Sequence, residues 1–559
     1  MREAVGAVGA GESGGDATSR GRADLAGWLA AQPADLYADD LAFQALVAAA
    51  GLEDRAERLG EVGRTVAGPL DRAVRENNLH RNLPVLDDWD AIGRFTSGVS
   101  HHPTWREAGR MIYGTGVMTA YGEPVVPHRY ILGLFYLTAQ AGEAGHNCPL
   151  ACAAGAIRSL QALGTPAQRA RYLPRLLDPD FDSNFTASQF LTELQGGSDV
   201  GANAVRAEPV EGGGGAGSRW QISGEKWFCS NADADVFLLT ARVAPPETGT
   251  GGLGLFLLPR QRADGRPNGF RLRRLKDKLG TRSMASGEID FDRAEAEALG
   301  PVDRGFKNVI EGVINTSRLY NAFGCAAHAR RAWVVASTYA QHRRAFGRPI
   351  GGFAAVQETL AWMRADATAC LASSWWLAEL QERLDAGSAS KADADFFRVA
   401  VNLNKLRTCV LAHEVVNHGI EILGGNGAIE SFSVLPRLLR DNVVYENWEG
   451  SHNVLRAQVL RDCQRLGVHR GFFEVLEGRL GPAALEADRQ ELDALLAEGG
   501  PLAELRFRRL ADRLATWVMV GALSVHPSLQ AEGRVTARHL EAPKVDAEWL
   551  RLVEGLQRG

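Results

Sequence analysis

Long apolar runs are missing from this chain. No stretch of about 18 uninterrupted apolar residues occurs, so no span across a membrane is expected. The opening MREAVGAVGAGESGGDATSR lacks the apolar core of a secretory signal, and its Gly, Ala and acidic content predicts a disordered lead-in over 1–20. Charge of one sign is missing too. Lys and Arg number 62 against 67 Asp and Glu, a net charge of -5, so no global field draws the chain to nucleic acid or membrane. Cysteine is sparse: seven residues, at 148, 152, 229, 325, 370, 409 and 463, with no CxxC pair. That pattern argues against a disulfide scaffold or a cysteine zinc site, and for reduced thiols in a cytoplasmic protein. His101 and His102, like His413 and His418, lack further ligands at metal spacing. The glycine run in EILGGNGAIE, 421–430, is not a G-x-G-x-x-G after a strand, which rejects a Rossmann reading there, and no repeat of fixed period occurs.

What is present is length and a change of texture. A chain of 559 residues is too long for one simple core, so several subdomains are expected. Residues 21–184 carry apolar positions at helical spacing, as in DLAFQALVAAAGLEDRAERLG and HRYILGLFYLTAQAGEAGH. Residues 185–300 break into short β-type runs, RWQISGEKWFCS, DVFLLTARV, GLGLFLLPR and GEIDFD, separated by EGGGGAGS and DGRPNG. This alternation predicts an antiparallel β domain. Helical texture returns over 301–466. Leu319, Ala322, Phe323 and Ala326 form one stripe, and Val356, Leu360, Met363, Ala367 and Leu371 another. Trp375 and Trp376 beyond it read as packing. Residues 467–559 form a helical extension. The expected fold is mainly α, with a central antiparallel β domain between two helical domains.

Four motifs could carry chemistry, and each has a plain structural alternative. In TELQGGSDV, Thr192 and Ser198 offer hydroxyls around a glycine pair, either as a ligand loop or as a simple turn. In GEKWFCSN, Phe228 and Ser230 share one strand face, where they could meet a flat ring or merely half-bury. In YAQHRRAFGRPI, Arg343 and Phe346 fall three apart near a helix end. They could face one way and grip a diphosphate, or simply suit the helix dipole. In EILGGNGAIE, Gly424, Gly425 and Gly427 make a tight loop, either at a ligand or as a helix C-cap.

Taken in order, GTPAQRARYLPRL, TELQGGSD, GEKWFCSN, KDKLGTRSMAS, YAQHRRAFGRPI, EILGGNG and WEGS make the chain from about 120 to 462 resemble the acyl-CoA dehydrogenase flavoprotein family. HHPTW, QGGSDV and the extension after 465 resemble its AidB-like branch, linked to the bacterial response to alkylating agents. The resemblance implies FAD bound between the β domain and the second helical domain, in a homodimer or homotetramer. It implies that Thr192 meets the flavin pyrimidine edge, Ser198 lies near a phosphate, Phe228 packs on the ring and Ser230 sits near N5. Arg343, Phe346, Gly424, Gly425 and Gly427 would hold the FAD of a neighbouring subunit, and Ser451 and Asn453 would touch FAD. Glu421 stands where many family members have Gln, which puts a direct diphosphate contact from it in doubt.

The same resemblance makes Glu449 of WEGS the catalytic base and Arg318 an arginine beside it. On local sequence Glu449 could equally be a first-turn helix acid. The chemistry needs a carboxylate because α,β-dehydrogenation takes a proton from one carbon and a hydride, accepted by FAD, from the next. Burial against Trp448 would raise its pKa and strengthen it. Gly450 would remove bulk where the backbone approaches the ligand.

The substrate reads as an acyl-CoA or other acyl group. Relatives on this scaffold also oxidise nitrogen compounds or carrier-bound acyl groups, so a specialised pathway stays open. Tyr121, His146, Tyr320 and Phe323 are candidate pocket walls. Nucleic-acid binding, associated with the AidB-like branch, is disfavoured: residues 467–559 hold 12 Lys and Arg against 14 Asp and Glu. The cluster Arg506, Arg508, Arg509 and Arg513 fits a solvated helix face or a subunit interface.

Overall fold

Both apolar stripes read from the sequence end up inside. Leu319, Ala322, Phe323 and Ala326 are buried, as are Leu360, Met363, Ala367 and Leu371, with Trp375 and Trp376 packed beside the latter. The computed structural model describes residues 14–210, 214–243, 249–541 and 547–558.

The first helical region comprises α1 (Gly14–Ala30), α2 (Leu41–Ala49), α3 (Ala56–Thr65), α4 (Asp71–Asn77), α5 (Pro103–Tyr113), α6 (His128–Ala139), α7 (Asn147–Leu163) and α8 (Pro166–Leu176). Two expectations change here. The lead-in expected to run to residue 20 is already helical from Gly14, while residues 1–13 lie outside the described residues. Trp28 anchors α1 by stacking on Phe432, with ring centroids 5.0 Å apart, and by meeting Tyr339 edge-on. The region also contains a hairpin, β1 (Val85–Trp89) with β2 (Phe95–Ser100). Its strands are polar and half-exposed, but Leu86 and Val99 pack on the β-domain core.

The β domain contains β3 (Ala187–Phe190), β4 (Arg206–Pro209), β5 (Arg219–Ser230), β6 (Val236–Val243), β7 (Leu253–Pro259), β8 (Phe270–Leu275) and β9 (Ser286–Ala298). The sheet order is β3-β6-β4-β5-β9-β7, with β8 on β9. Most pairings are antiparallel, as expected. β3 and β4, however, each pair in parallel with β6. Those contacts join segments separated by loops, which alternation along one strand cannot register.

The second helical domain begins with the short α9 (Gly305–Asn308) and a π-helical turn, Val309–Ile314. Then come α10 (Asn315–His342), α11 (Ala354–Asp385), α12 (Lys391–Leu423), α13 (Leu435–Asn447) and α14 (His452–Leu466). The extension adds α15 (His469–Leu480), α16 (Pro482–Glu498), α17 (Gly500–Leu523), α18 (Gln530–Ala537) and α19 (Ala547–Arg558). Phe472 of α15 stacks on Phe396 of α12 at 5.4 Å, Phe396 meets Trp376 at 4.5 Å, and Phe507, Leu510 and Met519 of α17 join the same core. All seven cysteines are buried free thiols.

Candidate active site

The turn between α13 and α14 places the carboxylate. Trp448 leaves α13 in extended backbone, Glu449 takes a left-handed conformation at φ +57°, Gly450 sits at φ +104°, and Ser451 opens α14. Glu449 is therefore neither inside a helix nor a cap. A left-handed residue with a side chain costs about 1–2 kcal/mol, so something must hold it. A Cβ on Gly450 would come within 2.8 Å of Leu455 and 3.9 Å of Arg318, so crowding inside the chain demands glycine there as well as the positive φ.

What holds the turn is a set of donors from α10 and α12. Arg318 Nε donates to the Glu449 carbonyl at 3.2 Å, and its terminal nitrogens reach Gln458 Oε1 at 3.1 Å and Asn315 Oδ1 at 3.5 Å. Asn321 Nδ2 donates to the Tyr445 carbonyl at 3.0 Å. Lys405 Nζ donates to the carbonyls of Glu446 and Gly450, both at 3.0 Å. Burial pulls the Arg318 guanidinium down to about 10. Burial raises the Glu449 carboxyl above its ordinary value, against the opposing pull of Arg318 and Lys405. The Glu449 side chain keeps partial exposure to solvent.

A second group of the expected residues forms a ledge on the β domain. Thr192 follows β3, and its carbonyl accepts from the Trp227 N–H at 3.0 Å. A Cβ on Gly197 would lie 2.7 Å from Thr192 Oγ1, so the loop folds back closely on itself. Beneath it a buried ion pair, Lys226 Nζ to Glu193 Oε1 at 2.8 Å, pins the loop to β5. Above it Ser198 is exposed, Phe228 is 52% exposed, and Ser230, opposite Ser286 on β9, is half-buried. The ammonium of Lys276 lies 3.6 Å from the Trp227 ring centroid and 4.7 Å from that of Phe228. Lys278 Nζ donates to the Met284 carbonyl and Ser286 Oγ, both at 2.9 Å, and burial lowers it to about 8.

A third group lies at the C-terminal end of α10. Arg343 and Phe346 do not share a helix face as their spacing predicts, because α10 stops at His342. Arg344–Ala345 and Arg348–Pro349 then pair as a tight hairpin. Phe346, at its tip with φ +50°, is 95% exposed. Asn426 Nδ2 donates to Tyr339 Oη at 3.2 Å, which seats the 424–428 loop beside the same helix end. Gly424 and Gly425 face open space, whereas Gly427 is packed under the Ile420 carbonyl. Ser451 and Asn453 are exposed on the first turn of α14, and the Glu421 side chain is exposed beside His418.

A cleft of about 1280 Å³ opens between α7, the π-helical turn, α12 and α14. Asn315 and Gln458, the two side chains that hold the Arg318 guanidinium, line it, with Arg304, Lys307 and Arg398 also on its walls. The aromatics expected to form pocket walls are instead fully buried. Tyr121 and Tyr320 pair through their hydroxyls at 3.2 Å, Phe323 lies in the same core, and His146 donates to the Trp105 carbonyl at 2.9 Å.

Phe228, exposed near the Ser230 hydroxyl and beside the Lys276 ammonium, which also pairs with Glu288 at 2.8 Å, is a surface that fits a flat heteroaromatic ring. Three groups escaped notice in the sequence: Lys226, Lys278 and Lys405. Only their burial marks them, and single lysines inside motifs look like solvated charge. Glu143 is a fourth. Fully buried, it accepts from the Asn147 N–H at 2.9 Å. Burial, and then the neighbouring Asp441, pushes it up to about 8.

Three family models match successive parts of the chain between residues 29 and 463. They are the Adaptive response protein AidB N-terminal domain over residues 29–183, the acyl-CoA dehydrogenase middle domain over 188–294, and the acyl-CoA dehydrogenase C-terminal domain over 303–463. The putative acyl-CoA dehydrogenase AidB of Escherichia coli is 33% identical, over 68% of this chain and 69% of its own length. Acyl-CoA dehydrogenase family member 11 of Caenorhabditis elegans is 31% identical, over 72% of this chain and 66% of its own length. The crystal structure of Caenorhabditis elegans ACDH-11 in complex with C11-CoA superimposes with a TM-score of 0.80 at 26% identity, covering 93% of this chain and 94% of that one. The apo-form of Bd2924 gives 0.80 at 27%, covering 91% and 98%.

Proposed function

The chain belongs to the acyl-CoA dehydrogenase family, FAD-binding oxidoreductases of CH–CH bonds, in its AidB-like branch, and from that premise we propose that it dehydrogenates an acyl thioester with Glu449 as base. The observation that carries the reading is the left-handed, clamped turn. A strained residue whose turn is held by three hydrogen bonds from two buried side chains, Arg318 and Lys405, is the signature of a group whose position matters.

Glu449 takes the α-proton. Its carboxyl, raised by burial, is a stronger base than a solvated carboxylate, yet Arg318 and Lys405 keep its charged form accessible. The Glu449 N–H is a candidate donor to the thioester carbonyl, where charge develops as the proton leaves. When bound, FAD supplies the hydride acceptor. Thr192, Ser198, Phe228 and Ser230 would hold its ring and near phosphate. Ser451 and Asn453 of the same chain, and the Arg343, Phe346, Gly424, Gly425 and Gly427 group of a second copy, would complete the site. The cleft beside Asn315 and Gln458, lined by Arg158, Arg304, Lys307 and Arg398 and by Asp303, Glu311, Asp385 and Asp395, has the room for an acyl carrier. The C11-CoA complex of the ACDH-11 structure supports that substrate class.

Anaerobic titration with saturated acyl-CoAs of graded length tests the reading. Flavin absorbance bleaches in the wild type and not in Glu449→Gln, which keeps its FAD. Bleaching that survives the substitution removes Glu449 from the role. Association with DNA draws little from the extension: Arg506 pairs with Glu498 at 2.9 Å, and Arg513 pairs with Asp488 at 2.8 Å and with Glu491.

A further inference from the structure

Lys405 is fully buried in the middle of α12, and among the described residues no carboxylate forms an ion pair with it. Burying an unpaired ammonium costs several kcal/mol, so its retention calls for a reason. Its two acceptors supply one. Glu446 and Gly450 flank the left-handed Glu449, and a single ammonium bonds the carbonyl on each side at 3.0 Å. The Glu446 carbonyl belongs to the last turn of α13, where carbonyls lack helical partners and a cation suits the dipole. The Gly450 carbonyl lies beyond the turn. One side chain therefore spans the whole reversal.

We propose that Lys405 is the positioning residue of the Glu449 base: it staples the turn from both sides and sets the field in which the carboxylate ionises. The inference rests on Glu449 being the base. Arg318 bonds the Glu449 carbonyl from α10, so the two cations divide the task. Arg318 fixes the residue itself, and Lys405 fixes its neighbours. The charged and titratable groups around this pocket are Arg318 and Cys325 from α10, Lys405 and Cys409 from α12, Glu446 from α13, and His452 and Asp462 from α14. Of these, Arg318 and Lys405 act on Glu449 with the same sign, both favouring its charged form.

The sign follows directly. A base works only when ionised, so activity falls as pH drops through the folded-state pKa of Glu449. Removing the ammonium removes one of two groups holding that pKa down. The acid limb of the kcat profile then moves to higher pH, and each unit of movement is a tenfold loss of activity on that limb.

The test measures kcat and KM against pH for FAD-loaded wild type, Lys405→Met, Lys405→Arg and Glu449→Gln, using a saturated acyl-CoA that bleaches the wild-type flavin. Amide exchange of the peptide covering 445–451 reports on the turn independently of turnover. The proposal expects Lys405→Met to move the acid limb up by about one unit or more. It expects kcat on that acid limb to fall about tenfold per unit of movement with KM within about threefold, and exchange in 445–451 to speed up. Lys405→Arg, which keeps charge and donors, restores the wild-type acid limb. A Lys405→Met acid limb that superimposes on the wild type, whatever its kcat, overturns the proposal. If the Met variant does not fold, Lys405→Gln takes its place under the same criteria. Activity surviving in Glu449→Gln would instead overturn the base assignment, so the two failures are separable.

Discussion

The two regions that hold most of the expected site residues are built differently. On the base side, donors from α10 and α12 reach the carbonyls of Tyr445, Glu446, Glu449 and Gly450, all within one chain. On the β domain the ledge is pinned by the buried Lys226–Glu193 pair, but its outer face lies open. Phe228 is half-exposed, Ser198 is exposed, and the hairpin with Phe346 at its tip stands in solvent. The turn around Glu449 is thus held within one chain, whereas the exposed Phe228 and Phe346 are where the proposed cofactor and a second copy would add contacts. A strained base must be rigid before the substrate arrives, since misplacement costs rate. A cofactor surface can be left open, because the cofactor supplies the missing contacts when it binds.

That contrast can be broken most sharply at its centre. Glu449→Gln should lower turnover by about 10²–10⁴-fold, the usual worth of a general base, with FAD stoichiometry unchanged by absorbance. Lost FAD would mean the two regions are not separable. Next in size is the pin beneath the ledge. Glu193→Ala strands the buried Lys226 ammonium, and denaturant unfolding should register a loss of about 3–5 kcal/mol together with weakened FAD retention. A loss below about 1 kcal/mol would show that the ledge is not held from below.

A third expectation concerns pH. Glu143 binds a proton in the fold up to about pH 8, but a solvated carboxyl releases it near its ordinary value. The stabilisation is full at acid pH and is lost as pH rises through that window, by up to about 1.4 kcal/mol per unit. Thermal melts should decline from pH 5 to 8, and Glu143→Gln should flatten the decline. An unchanged slope in the variant assigns the dependence to other groups. The smallest effect belongs to the exposed tip. Phe346→Ser should change stability by no more than about 0.5 kcal/mol, yet reduce FAD retention if a second copy completes the ledge. Full retention would mean that one chain suffices.

The same contrast marks what the sequence made legible. The order of helical, β and helical texture, the stripes of α10 and α11, and the packing role of Trp375 and Trp376 are local patterns, and they read correctly. Glu449 stood out because its neighbours Trp448 and Gly450 are unusual company for a carboxylate. Non-local features stayed hidden. The hairpin at 85–100 is too polar to look buried, and only its packing on the β domain stabilises it. The parallel pairings of β6 join distant segments. Arg343 and Phe346 keep helical spacing beyond the point where the helix ends. The left-handed backbone of Glu449 and the reach of Lys405 across it arise from helices 40 and more residues apart in sequence, as the separation of Lys405 from Glu446 and Gly450 records.

The seam between α12 and α15 has a consequence for how this chain can be handled. Phe472 stacks on Phe396 and Phe396 leans on Trp376, so residues beyond 466 fill the centre of the protein. Ending the polypeptide at Leu466 would not liberate a smaller enzyme; it would strip a lining of rings bare and invite self-association. Whatever errand the final helices run, they run it as a wall of the house, and cannot be sent out alone.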